Sequence, residues 1–505
     1  MTVKGMKRLF ALIMTVFMFA SMNTALAVDD GYPSTYTYNY DYWGDIRESP
    51  DAYRVSDVIY SGDLGLGTAM RKPQSLYVRG NELYVVDSGN NRILQISREG
   101  DNFSLVRVID TIKGSDVAKF NNPNDVFVDV DGNIYVADTN NGRIVMVDKD
   151  LNFIKQFTKP SDATFDQSLS FLPNKIVVDV SGRVFALATN VNKGLVKFES
   201  DTTFTGFIGA NKVTYNFAEY VWKTYFMTKE QRAQQASFVP TEYHNIFIDE
   251  DSFIYATNTV FDEYDLIWDA AQPIRRLNGI GNDILIKNDK YPPIGDIYWV
   301  EGSVTLGPSK LYDITVLEND IYIALDHTRG RLFGYDSQGV MLWAFGTTGS
   351  SEGAFNSAVS IEHMGRDLFV LDELAGTITV FTPTEYGNLI YDACGAYLTG
   401  DYDGSAEIWE DVLKLNANYN LAFIGIGRSL MRQEDYEEAM EYFKMAKDRD
   451  NYGRAFRFYR KDMVEENIVW MVLVLAAVLI IPIVKSTVKK MRMEVEVHER
   501  NQVQK

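Results

Sequence analysis

The stretch Asn122–Val147 reads NPNDVFVDVDGNIYVADTNNGRIVMV. Val126, Val128 and Val130 alternate with Phe127 and Asp129, which is the period of a strand. Asp131-Gly132-Asn133 predicts a turn, because Gly and Asn tolerate positive φ there. Ile134–Ala137 is a second strand, Asp138–Gly142 a second turn, and Ile144–Val147 a third strand. A single meander of short antiparallel strands cannot bury both its faces, so copies should follow.

Copies do follow. Lys72–Ile96 repeats the pattern, with Pro73 lying 50 residues before Pro123 and Arg92 lying 51 before Arg143. A third copy starts at Pro173, again 50 residues on. Further copies begin near Pro240, Pro308 and Phe355. Periods of roughly 40–50 residues with four strands each predict an all-β six-bladed β-propeller over residues 54–382. The D-x-x-N-x-R-I signature (Asp87, Asn90, Arg92, Ile93) and the F-x-x-P lead-in (Phe120, Pro123) resemble NHL repeats. The resemblance is tight in the first two repeats and looser afterwards.

Arg54–Gly65 resembles Leu105–Gly114, the outer strand that precedes the second repeat. The sixth repeat has inner strands and no outer one. The N-terminal strand is therefore expected to complete the last blade, which removes the open edges of the ring. Before it, in the segment 28–53, Tyr36, Tyr38, Tyr40 and Tyr42 alternate strictly, with Trp43 beside them. This segment reads either as an added strand packed on the propeller or as an exposed stacking platform for sugar rings.

The face on which the inner strands begin is the top. Three insertions belong to it: Asn211–Val239, with a helix expected at Lys229–Ala236; Thr259–Gln272; and Lys287–Gly307, which carries Tyr291, Tyr298 and Trp299. Loops gathered on one face mark the expected binding side. There the inner strands begin with Ser75, Asp125, Lys175, Asn245, Asp313 and Ser360. The residues before them are Gln74, Asn124, Asn174, His244, Tyr312 and Val359. An oxygen-rich funnel suits Ca²⁺ or a polyhydroxylated ligand, with Asp125 and Asp313 as weak metal candidates. Lysine 175 and the absence of a three-histidine ring argue against a catalytic metal. No catalytic residue is assigned. Asp87 with Arg92, and Asp138 with Arg143, are read as ties within hairpins. His327 and His363 are read as surface or turn residues.

After Pro383 the period becomes helical. Helices are expected at Glu385–Tyr397, Ser405–Leu415, Tyr419–Met431 and Tyr436–Arg449, a module over 383–462. Phe423, Gly427, Leu430, Ala439, Phe443 and Ala446 resemble the pattern of tetratricopeptide repeats (TPR). Ile468–Val484 has 17 residues without a charge, so residues 467–485 are expected to form one transmembrane helix, with 486–505 as a tail. Residues 1–27 read as a signal peptide, from Lys4, Lys7 and Arg8 through an apolar run to Ala25-Leu26-Ala27. The expected location is a single-pass cell-membrane protein with its propeller extracellular and its tail cytoplasmic. The only cysteine is Cys394, so no internal disulfide is available. The net charge is −20; signal and tail each carry +3, which leaves −26 between them. So acidic a surface argues against nucleic acid and is compatible with cations, glycans or basic proteins.

The whole resembles bacterial membrane-anchored propeller proteins that accompany carbohydrate ABC transporters. That resemblance implies a binding or scaffold protein, with a membrane partner such as a permease. The competing expectation is a metal-dependent lactonase or lyase with its site in the funnel.

Overall fold

The computed structural model describes residues 37–503 apart from 42, 190, 210–242, 268–270, 289–291, 298–299, 302–303 and 306. The signal peptide, the insertion at Asn211–Val239 with its expected helix, and Tyr36, Tyr42, Tyr291, Tyr298 and Trp299 lie outside the described residues. Two compact units result: Met1–Asn39 with Ile46–Asn388, and Tyr40–Asp45 with Leu389–Lys505.

The first unit is a six-bladed propeller. Blade one is Ser75–Arg79, Glu82–Asp87, Arg92–Glu99 and Asn102–Ile109, each strand antiparallel to the next. Blade two repeats it with Pro123–Val128, Ile134–Asp138, Arg143–Val147 and Phe153–Thr158. Gly132 makes the first hairpin turn at φ 82°, a conformation open to it because it lacks a Cβ. Val130, read as a strand residue from its alternation, sits in that turn and is 75% exposed. Blade three follows the same order from Pro173–Val178 to Phe204–Ile208. The first strands of all six blades adjoin in sequence around a central channel. Apolar side chains fill the wedges between blades; Phe127, Tyr135 and Phe157 pack with Ile176, Val184 and Phe198, for example.

Blade four departs from the expected four strands. Among the described residues it has three, Tyr243–Ile248, Ile254–Asn258 and Ile274–Leu277. After Leu277 the chain makes one bridge, Leu277 with Asp283, where Asn278 and Asp283 spend their side-chain oxygens on the loop's own amides. Those bonds hold a turn in place of a ladder.

The ring closes as the sequence predicts. Tyr53–Ile59 pairs antiparallel with Thr377–Pro383, Ile59 opposite Ile378 and Val55 opposite Phe381. The tyrosine segment is also a strand: Thr37–Tyr40 joins the outer strand of blade five, with Tyr38 opposite Ala344. Tyr38 is fully buried, and its hydroxyl donates to both oxygens of Asp296 at 2.8 Å. Arg331 completes the cluster, 2.6 Å from Asp296. Of the two readings of this segment, packing holds at Tyr38.

The expected ties are present. Asp138 accepts from Asn121 N at 2.8 Å, Asn141 Nδ2 at 2.8 Å and Arg143 Nε at 2.9 Å. Asp87 repeats this with Arg71 N, Asn90 and Arg92. Asp326 and Asp372 likewise hold the amides of Lys310 and Asn356. Each carboxylate ties a second strand to the link that enters its own blade.

In the second unit, helices Tyr402–Leu415, Asn420–Arg432 and Tyr436–Met445 pack each against the next. Gly425 and Gly427 face Trp409 and Phe443 so closely that a Cβ on either would lie under 3 Å from a ring atom. The helix expected at Tyr436–Arg449 breaks early: Lys447 takes φ 56°, and Asp448 then accepts from Asp450 N and Asn451 N. A continuous helix, Arg449–Val503, follows and contains the predicted span. Its apolar stretch reaches a mean hydropathy of 2.8 over 18 residues, none of them buried, so it is long and apolar enough to cross a membrane.

Closure by the N-terminal strand is open to test. Removing residues 28–60 exposes the edge of Thr377–Pro383 and is expected to give aggregates in place of a soluble ring. Val55→Asp buries an unpaired charge and should cost on the order of 3 kcal/mol. Urea melts with unchanged midpoints would show that the ring closes in another way.

Candidate functional site

The channel has two unlike ends. At the top, the six strand-start residues are all buried. Ser75 donates to Asp125 at 2.6 Å, and Ile176 N donates to the other oxygen at 2.7 Å. Asp313 accepts from Asn245 and Ile314 N on Oδ1, and from Ser360 at 2.7 Å and Ile361 N at 2.8 Å on Oδ2. Ser360 Oγ accepts in turn from Leu76 N at 3.1 Å. Lys175 reaches Ser75 Oγ at 3.2 Å and the carbonyl of Gln74 at 3.4 Å. Burial pushes both aspartates up, while Lys175 and these donors pull them back.

The preceding residues form pairs. Asn124 donates to Asn174 at 2.8 Å. His244 lies over Tyr312 with ring centroids 3.9 Å apart, and Tyr312 stacks on His327 at 4.0 Å. His244 Nδ1 meets the carbonyl of Tyr312, and His327 Nδ1 that of Ala358. Burial lowers His244 to about 4, so it is neutral at physiological pH. The predicted residues are thus brought together, as a belt between blades. Ca²⁺ takes six to eight oxygens; here both oxygens of Asp125 and of Asp313 already accept, beside a lysine. The belt does not fit that ion. Among the described residues, no three His, Cys, Asp or Glu side chains group as metal ligands.

The first hairpin turns lie at the bottom. A cavity of about 820 Å³ opens there, against about 40 Å³ in the channel above. Its walls come from blades one, two, three, four and six, with Tyr77, Phe127, Tyr135 and Phe247 among the rings. Val130 and Val180 stand exposed at the rim. The turns are held by their own carboxylates: Asp129 binds Asp131 N and Asn133 N at 2.9 Å, Asp179 binds Ser181 N and Arg183 N at 2.9 Å, and Asp249 binds Phe253 N at 2.8 Å.

Glu362 and His363 line this cavity. His363 lies on the inner strand Ala358–Met364 and bonds Thr315 Oγ1 at 2.7 Å, so it is a cavity residue and not the turn residue expected from Gly365 beside it. Burial holds it down at about 4. Glu362 is 7% exposed. Burial, then the charge of Asp313, push its carboxyl well above the usual range. The sequence signal for it was available: two residues past the belt, the inner strands carry Tyr77, Phe127, Val177, Phe247, Thr315 and Glu362, one acid among neutral side chains.

The protein is a six-bladed β-propeller carrying an NHL repeat: residues 120–145 match the family model of that repeat. Solved structures similar to it include a virginiamycin B lyase from Staphylococcus aureus, at 11% identity and TM-score 0.37, over 65% of this chain and 99% of that one. A streptogramin B lyase gives 11% and 0.40, over 66% and 100%. A protein described as a gluconolactonase by inference gives 9% and 0.37, over 66% and 94%. Likeness at this level says nothing of the activity of this chain. No curated protein matches it.

The raised carboxyl has a pH signature. Burial in the folded state favours the protonated form of Glu362, above the ordinary carboxyl value of 4.5. Stability therefore falls as pH rises from 4.5 toward the folded value. Glu362→Gln removes that loss. Its melting temperature should match the native chain at pH 4.5 and exceed it at pH 7.5, by circular dichroism of the detergent-solubilised full chain. A lower value at pH 7.5 would mean that Glu362 is ionised and partnered in the fold.

Proposed function

We propose that this chain is a membrane-anchored binding protein whose propeller takes a small polyhydroxylated solute in the bottom cavity. The observation that carries the reading is the cavity itself: about 820 Å³, walled by aromatic rings, with a buried carboxyl at its inner end. Ligand sites of this kind combine apolar walls with a few placed polar groups. Flat rings such as Phe127 and Phe247 suit the C–H faces of a sugar, and Asn133, Ser181 and Ser252 offer hydrogen bonds at the mouth. The top belt, whose donors and acceptors are matched internally, serves to hold the blades. In this reading the top insertions and the tetratricopeptide-like helices are left for protein contact. A place beside a carbohydrate transporter rests on the family resemblance alone.

A bulky residue at the mouth tests the site. Ser181 is exposed in the blade-three turn, so Ser181→Trp should fold and obstruct entry. Equilibrium dialysis against β-linked disaccharides should show binding to the native chain and at least about tenfold weaker binding to the variant. Equal binding would place the site elsewhere.

The apolar helix supports an anchor, and the reading of residues 1–27 as a signal puts the propeller outside. Protease added to intact protoplasts should degrade the propeller and spare a C-terminal tag. A protected propeller would overturn this orientation.

A further inference from the structure

Among the described residues, no lysine or arginine pairs with Glu362. Its Oε2 receives two long contacts, from Thr315 Oγ1 at 3.5 Å and His363 N at 3.4 Å. Oε1 accepts no hydrogen bond among the described residues, and the side chain borders the cavity. Among the described residues, the one basic group within ion-pair distance is His363, at 4.0 Å, and its ring nitrogen is engaged with Thr315. Lys175 is spent on the belt above, and Arg79 stands exposed at the mouth. The other titratable groups that act on this level are Asp313, Asp125 and Tyr77, none of them a cation. A carboxyl left unpaired nine-tenths inside a protein costs stability, and the five equivalent positions show that the fold manages without one.

We propose that the solute carries a primary ammonium group, as an amino sugar does, and that Glu362 pairs with that ammonium at the inner end of the cavity. This rests on the reading of the cavity as a solute site. The chemistry balances simply. In the free protein burial favours the protonated carboxyl. When the ammonium arrives, the carboxyl releases that proton to the buffer, and the carboxylate accepts a charge-assisted hydrogen bond from N–H. The rings of Tyr77, Phe127 and Phe247 line the same space. An anion would meet Glu362 with Asp313 behind it, and a neutral sugar would leave the carboxyl as it was. The narrow channel above leaves the turn face as the way in.

Three β-1,4 disaccharides that differ at C2 test it: the glucosamine disaccharide from chitosan (ammonium), di-N-acetylchitobiose (amide) and cellobiose (hydroxyl). Titration calorimetry on the full chain in detergent, in phosphate and in MOPS, gives affinity and the protons released. The ammonium disaccharide is expected to bind at least about tenfold more tightly than the other two, with a net release of protons at pH 7. Glu362→Gln should abolish both the preference and the release, and Ser181→Trp should weaken all three. If the three bind equally, without proton release and without effect of Glu362→Gln, the ammonium pairing is wrong and the cavity still binds sugars. If none binds, both readings fall.

Discussion

The propeller depends on one set of backbone hydrogen bonds, those between Tyr53–Ile59 and Thr377–Pro383. Five of the blades take their strands in sequence order, and each could form once its neighbour exists. The last cannot, because its outer strand comes from the opposite end of the domain. Closing a loop of some three hundred residues costs only logarithmically more than closing a short one. What it yields is large: the first strands of blades six and one become neighbours, and Leu371, Val380 and Ile59 pack into one core with Leu76 and Leu94. The tyrosine strand extends the principle. With Tyr38 anchored on Asp296 and Arg331, the segment ahead of the closing strand is fixed on blade five.

Closure sets the ring, and the aspartate ties set each blade within it. One carboxylate at the end of a second strand holds the incoming link and, in blades one and two, an arginine of the third strand. The Asp138–Arg143 pair is buried, so losing either partner would strand a charge in the interior. This explains how far the sequence could be read. Blades one, two, five and six carry Asp87, Asp138, Asp326 and Asp372, and their registers were legible. Blades three and four have Ala188 and Asn258 there, and among the described residues blade four is also the one with three strands. The helix break at Lys447 was hidden for a different reason: neither glycine nor proline marks it, and the signal is an aspartate that caps the following helix.

The candidate site was legible only in part, because its bonds run between blades. Aligning the repeats brought Ser75, Asp125, Asn245, Asp313 and Ser360 to one level. It gave no sign that Ser360 would serve both Asp313 and Leu76 N, 284 residues away. Matched bonds turn an apparent binding funnel into a structural belt, since a group whose partners are inside the protein has little to offer a ligand. At the other end the same alignment held the needed signal, an acid among neutral residues, one level farther along the strands.

The two ends differ for a physical reason. At the top, each inner strand starts beside its neighbours, so polar side chains meet across blades and satisfy one another. At the bottom the inner strands end in hairpin turns, whose polar groups are satisfied locally by Asp129, Asp179 and Asp249. Turns that need nothing from their neighbours leave the space between them open. They also leave it rigid, because the carboxylates fix the turn amides. A rigid opening lined by rings lowers the ordering cost of binding. A carboxyl placed inside it, unneeded by the ring and unmatched by it, has its chemistry free for something that enters.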